Sequence, residues 1–365
     1  AATGEEEALI RPCAVWRWEA PRALGAGVAL VALVAAGCSN GAHAAAPHGS
    51  PSVVSSPAPP PAGNCPLTDL APPTGVSVSR PVLAVKVDDS IPAADPQAGL
   101  DQADIVYDEP IEGNLDWFLA LFQCGNPSSV GPVREAEIED PSILSQYGSV
   151  LYAYASDVPA AVSQSINQTA EIVSVNSGHD GPAYSRSGSH PAPYNLFADP
   201  STLRSSAVVT ATTFTAPSPQ FEFRTTQAPT PAPSPAASQV SFSLGPTVSY
   251  KYDPQSNAYL RFENGNPMMA ASGNQITVAN VVIVWTQINM SSIIDGAGNA
   301  EPLPVLTGQG QAMVLTGGKE YDGQWTRSGV TQALSLVDSS GKPVPFTPGN
   351  TWIHILPISE AAYVS

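Results

Sequence analysis

The chain has 365 residues, room for two domains and a tail at roughly 100–200 residues per domain. Its formal net charge is −17, from 31 Asp and Glu against 14 Lys and Arg. Nucleic acid is held by clustered cations that displace its counterions, so this balance argues against a nucleic-acid partner, and equally against electrostatic adhesion of the folded part to anionic lipid.

Residues 1–38 read as an export leader. Arg11, Arg17 and Arg22 precede an uncharged Ala/Val/Leu run over residues 23–37. A membrane span needs about 20 apolar residues, so this shorter run fits a secretory signal. It stops at Ala35-Ala36-Gly37-Cys38, which resembles a bacterial lipobox, with Cys38 as the lipidated residue. The alternative is an ordinary signal peptide cut near Ala44–Ala46. Acyl chains gain roughly 0.8 kcal/mol per buried CH₂, so a multiply acylated cysteine would anchor the chain firmly. Residues 39–79 are Ala, Pro, Ser and Gly with little else, and are expected to form an extended tether. With Cys13 in the leader and Cys38 in the lipobox, Cys65 and Cys124 remain. In an exported protein that pair suggests one disulfide, two free thiols being the alternative.

Residues 80–214 interleave strands and helices. Apolar runs bounded by Pro, Gly, Asp or Asn predict strands over Val82–Val87, Ile105–Tyr107, Trp117–Phe122, Val150–Ala155 and Glu171–Val175. Asp140 as an N-cap ahead of Pro141 predicts a helix to Gly148, and Asp157 caps a second over Pro159–Asn167. A short helix is expected within Leu196–Ser205. Residues 215–239, with APTPAPSPAAS, read as a linker or loop. Residues 240–365 hold short strands parted by turns such as Asn264-Gly265, Asp295-Gly296 and Asp322-Gly323. The pattern predicts α+β architecture: a mixed α/β domain followed by a mainly antiparallel β domain, sandwich or barrel-like.

Several stretches together resemble one family. RPVLAVKVDD, ADPQAGLDQADIVYDEPIEGNLDWFLALF, VGPVREAE and RSGSHPAPYNLF look like the N-terminal domain of the YerB-like bacterial lipoproteins. YKYDPQSNAYLRF, NVVIVW, YDGQWTR and PGNTWIHI resemble the C-terminal domain. The resemblance implies lipid anchoring on the extracytoplasmic face of the cell membrane and carries no reaction. Two departures bear on function. Glu135 and Glu137 follow Arg134 where the family usually has a second Arg, and Tyr194 stands where it tends to have His.

The densest chemistry lies in residues 88–116, which hold nine carboxylates. Asp88, Asp89, Glu109 and Glu112 are the candidate catalytic set, because two close carboxylates can work as general acid and base. The same oxygens could take Ca²⁺ or Mg²⁺. The plainer reading is strand ends and solvated loops, and no cofactor is expected. Only five His occur and no H-E-x-x-H or C-x-x-C is present, so no zinc site is expected. Arg134, after the Gly131-Pro132 turn, pairs with a carboxylate or recruits an anion. Arg186 and Asn195 complete the candidate binding residues. Ser189, His190, His179 and Asp180 lack a nucleophile-elbow motif and read as loop residues. The function expected is a lipid-anchored envelope protein that binds a wall polymer or another envelope protein. The alternative is an envelope hydrolase using the acidic set.

Overall fold

The computed structural model describes residues 11–12, 63–156, 158–206, 209, 212–224 and 239–365. The leader run, Cys38, most of the tether and the expected cap at Asp157 lie outside the described residues. The strands that matter for the site are β1 (Val82–Asp88), β2 (Ile105–Ile111), β3 (Leu115–Phe122), β4 (Val150–Ala153), β5 (Ile172–Ser174), β6 (Gln239–Ser243), β7 (Thr247–Asp253), β8 (Ala258–Glu263), β9 (Asn280–Thr286), β10 (Ile288–Ile294), β11 (Ala300–Pro304), β12 (Gly308–Thr316), β13 (Lys319–Arg327), β14 (Ser335–Asp338) and β15 (Thr351–Pro357). The helices are α1 (Asp140–Leu144), α2 (Ala160–Gln168) and α3 (Pro200–Arg204).

Ten strands form one mixed sheet in the order β14-β13-β12-β9-β15-β2-β3-β1-β4-β5. Its centre joins the two halves of the sequence. β15 lies parallel to β9 on one side and parallel to β2 on the other, with Ile353 opposite both Val282 and Tyr107. A second sheet is built on antiparallel β6, β7 and β8.

Strand periodicity divides the core into two layers. In β1, VLAVKVD, all seven positions are buried, as expected of a strand covered on both faces. Leu83, Val85 and Val87 pack toward Val240, Phe242 and Tyr250 of the second sheet. Val82 and Ala84 pack toward Ile143 and Leu144 of α1 and Val162 and Ile166 of α2. The large sheet is therefore the middle layer, with β6–β8 on one face and the two helices on the other.

Several expectations need correction. The β-rich half does not close an antiparallel body of its own, because its final long strand, β15, is captured between β9 and β2. The expected tether ends earlier than residue 79: Leu67 is fully buried among the helix-side apolar residues, and Cys65 is bonded to Cys124 with S–S 2.06 Å. The expected linker, residues 215–239, contains a strand at Glu222–Phe223 that pairs parallel with Pro345–Phe346. Phe221 stacks on Phe346 at 4.3 Å, so this segment has aromatic core material that its Pro-rich remainder hides. The helix expected over residues 141–148 becomes α1 followed by a 3-10 turn, Ser145–Tyr147. Asp140 is its first helical residue rather than its cap, and its carboxylate turns inward to Lys86 and Tyr152. Leu196–Ala198 is a strand, and α3 follows it, capped by Asp199.

Candidate functional site

Alternation along β2 sends neighbouring carboxylates to opposite faces of the sheet. Asp108 points toward the second sheet, with Val106. Glu109 points toward the helices, with Ile105 and Tyr107. Each becomes the centre of a separate buried polar cluster.

On the second-sheet side, Asp108 Oδ2 meets His354 Nδ1 at 3.0 Å and Arg261 Nη1 at 3.2 Å. Tyr250 Oη lies 3.0 Å from His354 Nε2 and accepts from Arg261 Nη1 at 3.1 Å. Arg261 is fully buried, also pairs with Glu263, and lies over the Trp352 ring at 4.6 Å. Burial opposes ionisation of Asp108, but Arg261 and His354 outweigh it and hold its carboxyl below the usual range. Burial also lowers His354, keeping the imidazole neutral. Asp89 and Asp116 complete the cluster, and burial pushes both well above the carboxylate range, Asp116 further so beside Asp108. A Cβ on Gly245, at φ +73°, would lie 2.8 Å from Asp116 Oδ1, so the backbone there closes directly over the carboxyl.

On the helix side, Lys86 Nζ donates to Glu109 Oε2 at 2.6 Å and to Asp140 Oδ1 at 2.9 Å, all three side chains being fully buried. Burial works against the ammonium, but Asp140 and Glu109 outweigh it and hold Lys86 charged. Glu137, Glu139 and Glu301 crowd the same space. Burial raises Glu139 well above its ordinary value and Glu109 to about 8. Burial, then the hydrogen bond with Glu301, pushes Glu137 up to about 12. Five carboxyl groups thus share one ammonium.

The four candidate catalytic carboxylates do not converge. Asp88 Oδ2 lies 3.0 Å from Arg134 Nε, Asp89 belongs to the Arg261 cluster, and Glu109 belongs to the Lys86 cluster. Glu112 is half-buried on the β2–β3 turn, at the rim of an open groove of about 640 Å³. Asn114, Leu115, Met290, Asn299 and Glu360 also line that groove. Arg134 pairs with Asp88 and Glu135, its guanidinium 5.3 Å from the centre of the Trp117 ring and 5.5 Å from that of Tyr194. Exposed Arg186 donates to half-buried Asn195 at 2.7 Å. Ser189 Oγ lies 2.9 Å from His190 Nδ1, and among the described residues no carboxylate hydrogen-bonds that ring.

The sequence reading missed Lys86, Arg261 and His354. Each is a basic side chain set inside a largely apolar strand, VLAVKVD, AYLRFE and TWIHILP. Such a residue must carry a partner when both faces are covered, and that signal was available.

The comparisons with known proteins fit this architecture. The chain is 28% identical over 304 residues to the Bacillus subtilis (strain 168) protein named "Putative lipoprotein YerB", covering 82% of this chain and 88% of that one. The crystal structure of YerB from Bacillus subtilis superposes with a TM-score of 0.69 at 27% identity, covering 83% of this chain and 99% of that one. Residues 67–213 match the N-terminal domain, and residues 238–353 the C-terminal domain, of "Protein of unknown function (DUF3048)". With both of its domains matched in order, the chain belongs to the DUF3048, YerB-like family.

Proposed function

We propose that this chain is an exported, lipid-anchored cell-envelope protein that binds a wall polymer or another envelope protein and performs no hydrolysis. One observation carries the preference for binding: the carboxylates that hydrolysis would need are divided among separate places. General acid–base chemistry needs two groups in reach of one substrate. Asp88, Asp89 and Glu109 are buried beside Arg134, Arg261 and Lys86 respectively, and of the four only Glu112 lines the groove, which Glu360 also borders. Export is supported by the Cys65–Cys124 disulfide, a bond that persists in oxidising compartments. The anchor is supported by the name of the Bacillus subtilis relative and by the Cys38 lipobox. Among the described residues no helix is long and apolar enough to cross a membrane.

The test has two arms. Cells expressing the wild type or Cys38→Ala are fed a labelled fatty acid, and label is expected in the wild type alone. Equal labelling would remove the anchor. The protein is then incubated with purified wall fragments and with envelope extract. Retention on either, without release of soluble fragments, supports binding. Release of fragments that stops in Glu112→Gln would overturn the non-catalytic reading.

A further inference from the structure

We infer that Glu137, Glu139 and Glu301 hold a hard divalent cation, calcium in preference to magnesium, and that the ion clasps the segment before α1 to the β10–β11 hairpin. The site does not depend on the lipid anchor, and it adjoins the groove through Ala300 and Pro302 on either side of Glu301.

Three observations carry the assignment. One carboxylate oxygen from each of the three residues lies within 4.8 Å of the other two. Glu139 is 1% exposed, and neither of its oxygens meets a hydrogen-bond donor among the described residues. A Glu139 oxygen also lies within the same 4.8 Å of carboxylate oxygens of Glu109 and Asp140, so Glu139 is aimed into the middle of the acidic group. A buried carboxylate with no donor and no cation is costly, and such groups are otherwise found paired or on metals. Lys86 is one charge among five acids, and it makes no ion pair with Glu137, Glu139 or Glu301. Its ammonium is engaged by Glu109 and Asp140, and among the described residues no lysine or arginine pairs with Glu137, Glu139 or Glu301. A proton shared by Glu137 and Glu301 would satisfy those two, but it leaves both Glu139 oxygens facing the same spot.

The backbone supports the arrangement. Ile138 N–H donates to Glu301 Oε1 at 2.6 Å, and Glu137 N–H donates to Asp140 Oδ2 at 2.6 Å. Two of the acids are thereby fixed by the short segment that carries the other donors. The donor set is all carboxylate oxygen, which suits calcium, magnesium or manganese and gives zinc no imidazole or thiolate. Magnesium demands a near-ideal octahedron and keeps several waters. Calcium accepts irregular and bidentate carboxylates. With Glu137 6%, Glu139 1% and Glu301 4% exposed, little solvent reaches the cluster, and that favours calcium.

The full chain is stripped with chelator, dialysed against millimolar free Ca²⁺, and its bound metal is measured with its melting temperature. One Ca²⁺ per chain is expected, with a Tm rise of about 5 °C when the ion stands at a hundred times its Kd. Glu139→Gln and Glu301→Gln should each lose the bound ion, and Glu320→Gln on β13 should keep it. Glu139→Gln should also melt higher than the wild type in chelator, because it removes an acid that lies buried with both oxygens unpartnered. That readout keeps the test decisive if Glu301→Gln does not fold. A wild type that binds no ion above background overturns the proposal, as does a Glu139→Gln protein that still binds one. Preference for Mg²⁺ over Ca²⁺ overturns the choice of ion.

Discussion

His354 is sealed between Asp108 of β2, Tyr250 of β7 and Arg261 and Glu263 of β8, and it stays neutral because burial penalises the imidazolium. In the unfolded chain the same group takes up a proton near pH 6.5. Below that pH the unfolded state binds a proton that the folded state does not, so stability falls on acidification, by up to ~1.4 kcal/mol per pH unit. Urea unfolding between pH 7 and pH 5 should show a steeper loss for the wild type than for His354→Gln. Parallel curves would mean that the ring protonates freely in the fold. Lys86 makes the opposite case. Lys86→Met leaves Glu109 and Asp140 without their cation and should cost roughly 3–5 kcal/mol at pH 8. The cost should shrink at pH 5, where Glu109, which burial already raises to about 8, takes up a proton. An equal cost at both pH values would show that packing, not charge, is what Lys86 supplies.

Most strands of the fold are legible at the level of single elements, and the reasons differ along the chain. Val82–Asp88 and Leu115–Phe122 are apolar runs with clear stops, and the sequence places them within a residue or two. In the hairpin of β10 and β11 the turn at Asp295-Gly296 is legible and the flanking strands are not. INMSSII is largely solvent-exposed, so its apolar residues follow no core-facing period. The end of the tether was misread for another reason: one buried leucine and one cysteine in a Pro-rich stretch leave no periodic trace. The disulfide closes 59 residues of chain, and its removal in Cys65→Ser/Cys124→Ser should cost about 4 kcal/mol by loop-closure entropy. Comparing urea midpoints with and without reductant measures that cost. An unchanged midpoint would mean that the segment around Leu67 docks without the bond. The candidate site was half legible. Residue density marked Asp88, Asp89 and Glu109, and period-two alternation already implied that Asp108 and Glu109 part company. Nothing local could bring Glu301 to Ile138 across 163 residues.

For the molecule as a whole, the two family segments are separate in sequence and shared in the sheet. β15, from the second segment, is hydrogen-bonded along its length to β9 and along Thr351–His354 to β2 of the first. Residues 63–224 expressed alone should therefore expose the inner edge of β2 and aggregate, and residues 239–365 should do the same along β15. Refolded together, the two pieces should form a one-to-one complex. A cooperative unfolding transition in residues 63–224 alone would contradict this. The position of β15 also sets a timetable. A polypeptide made from its amino end delivers residues 351–357 after the other nine strands of the large sheet, so until then those strands wait beside a vacant slot. Maturation then depends less on how fast the first segment collapses than on how well the emerging chain is shielded until its last long strand arrives.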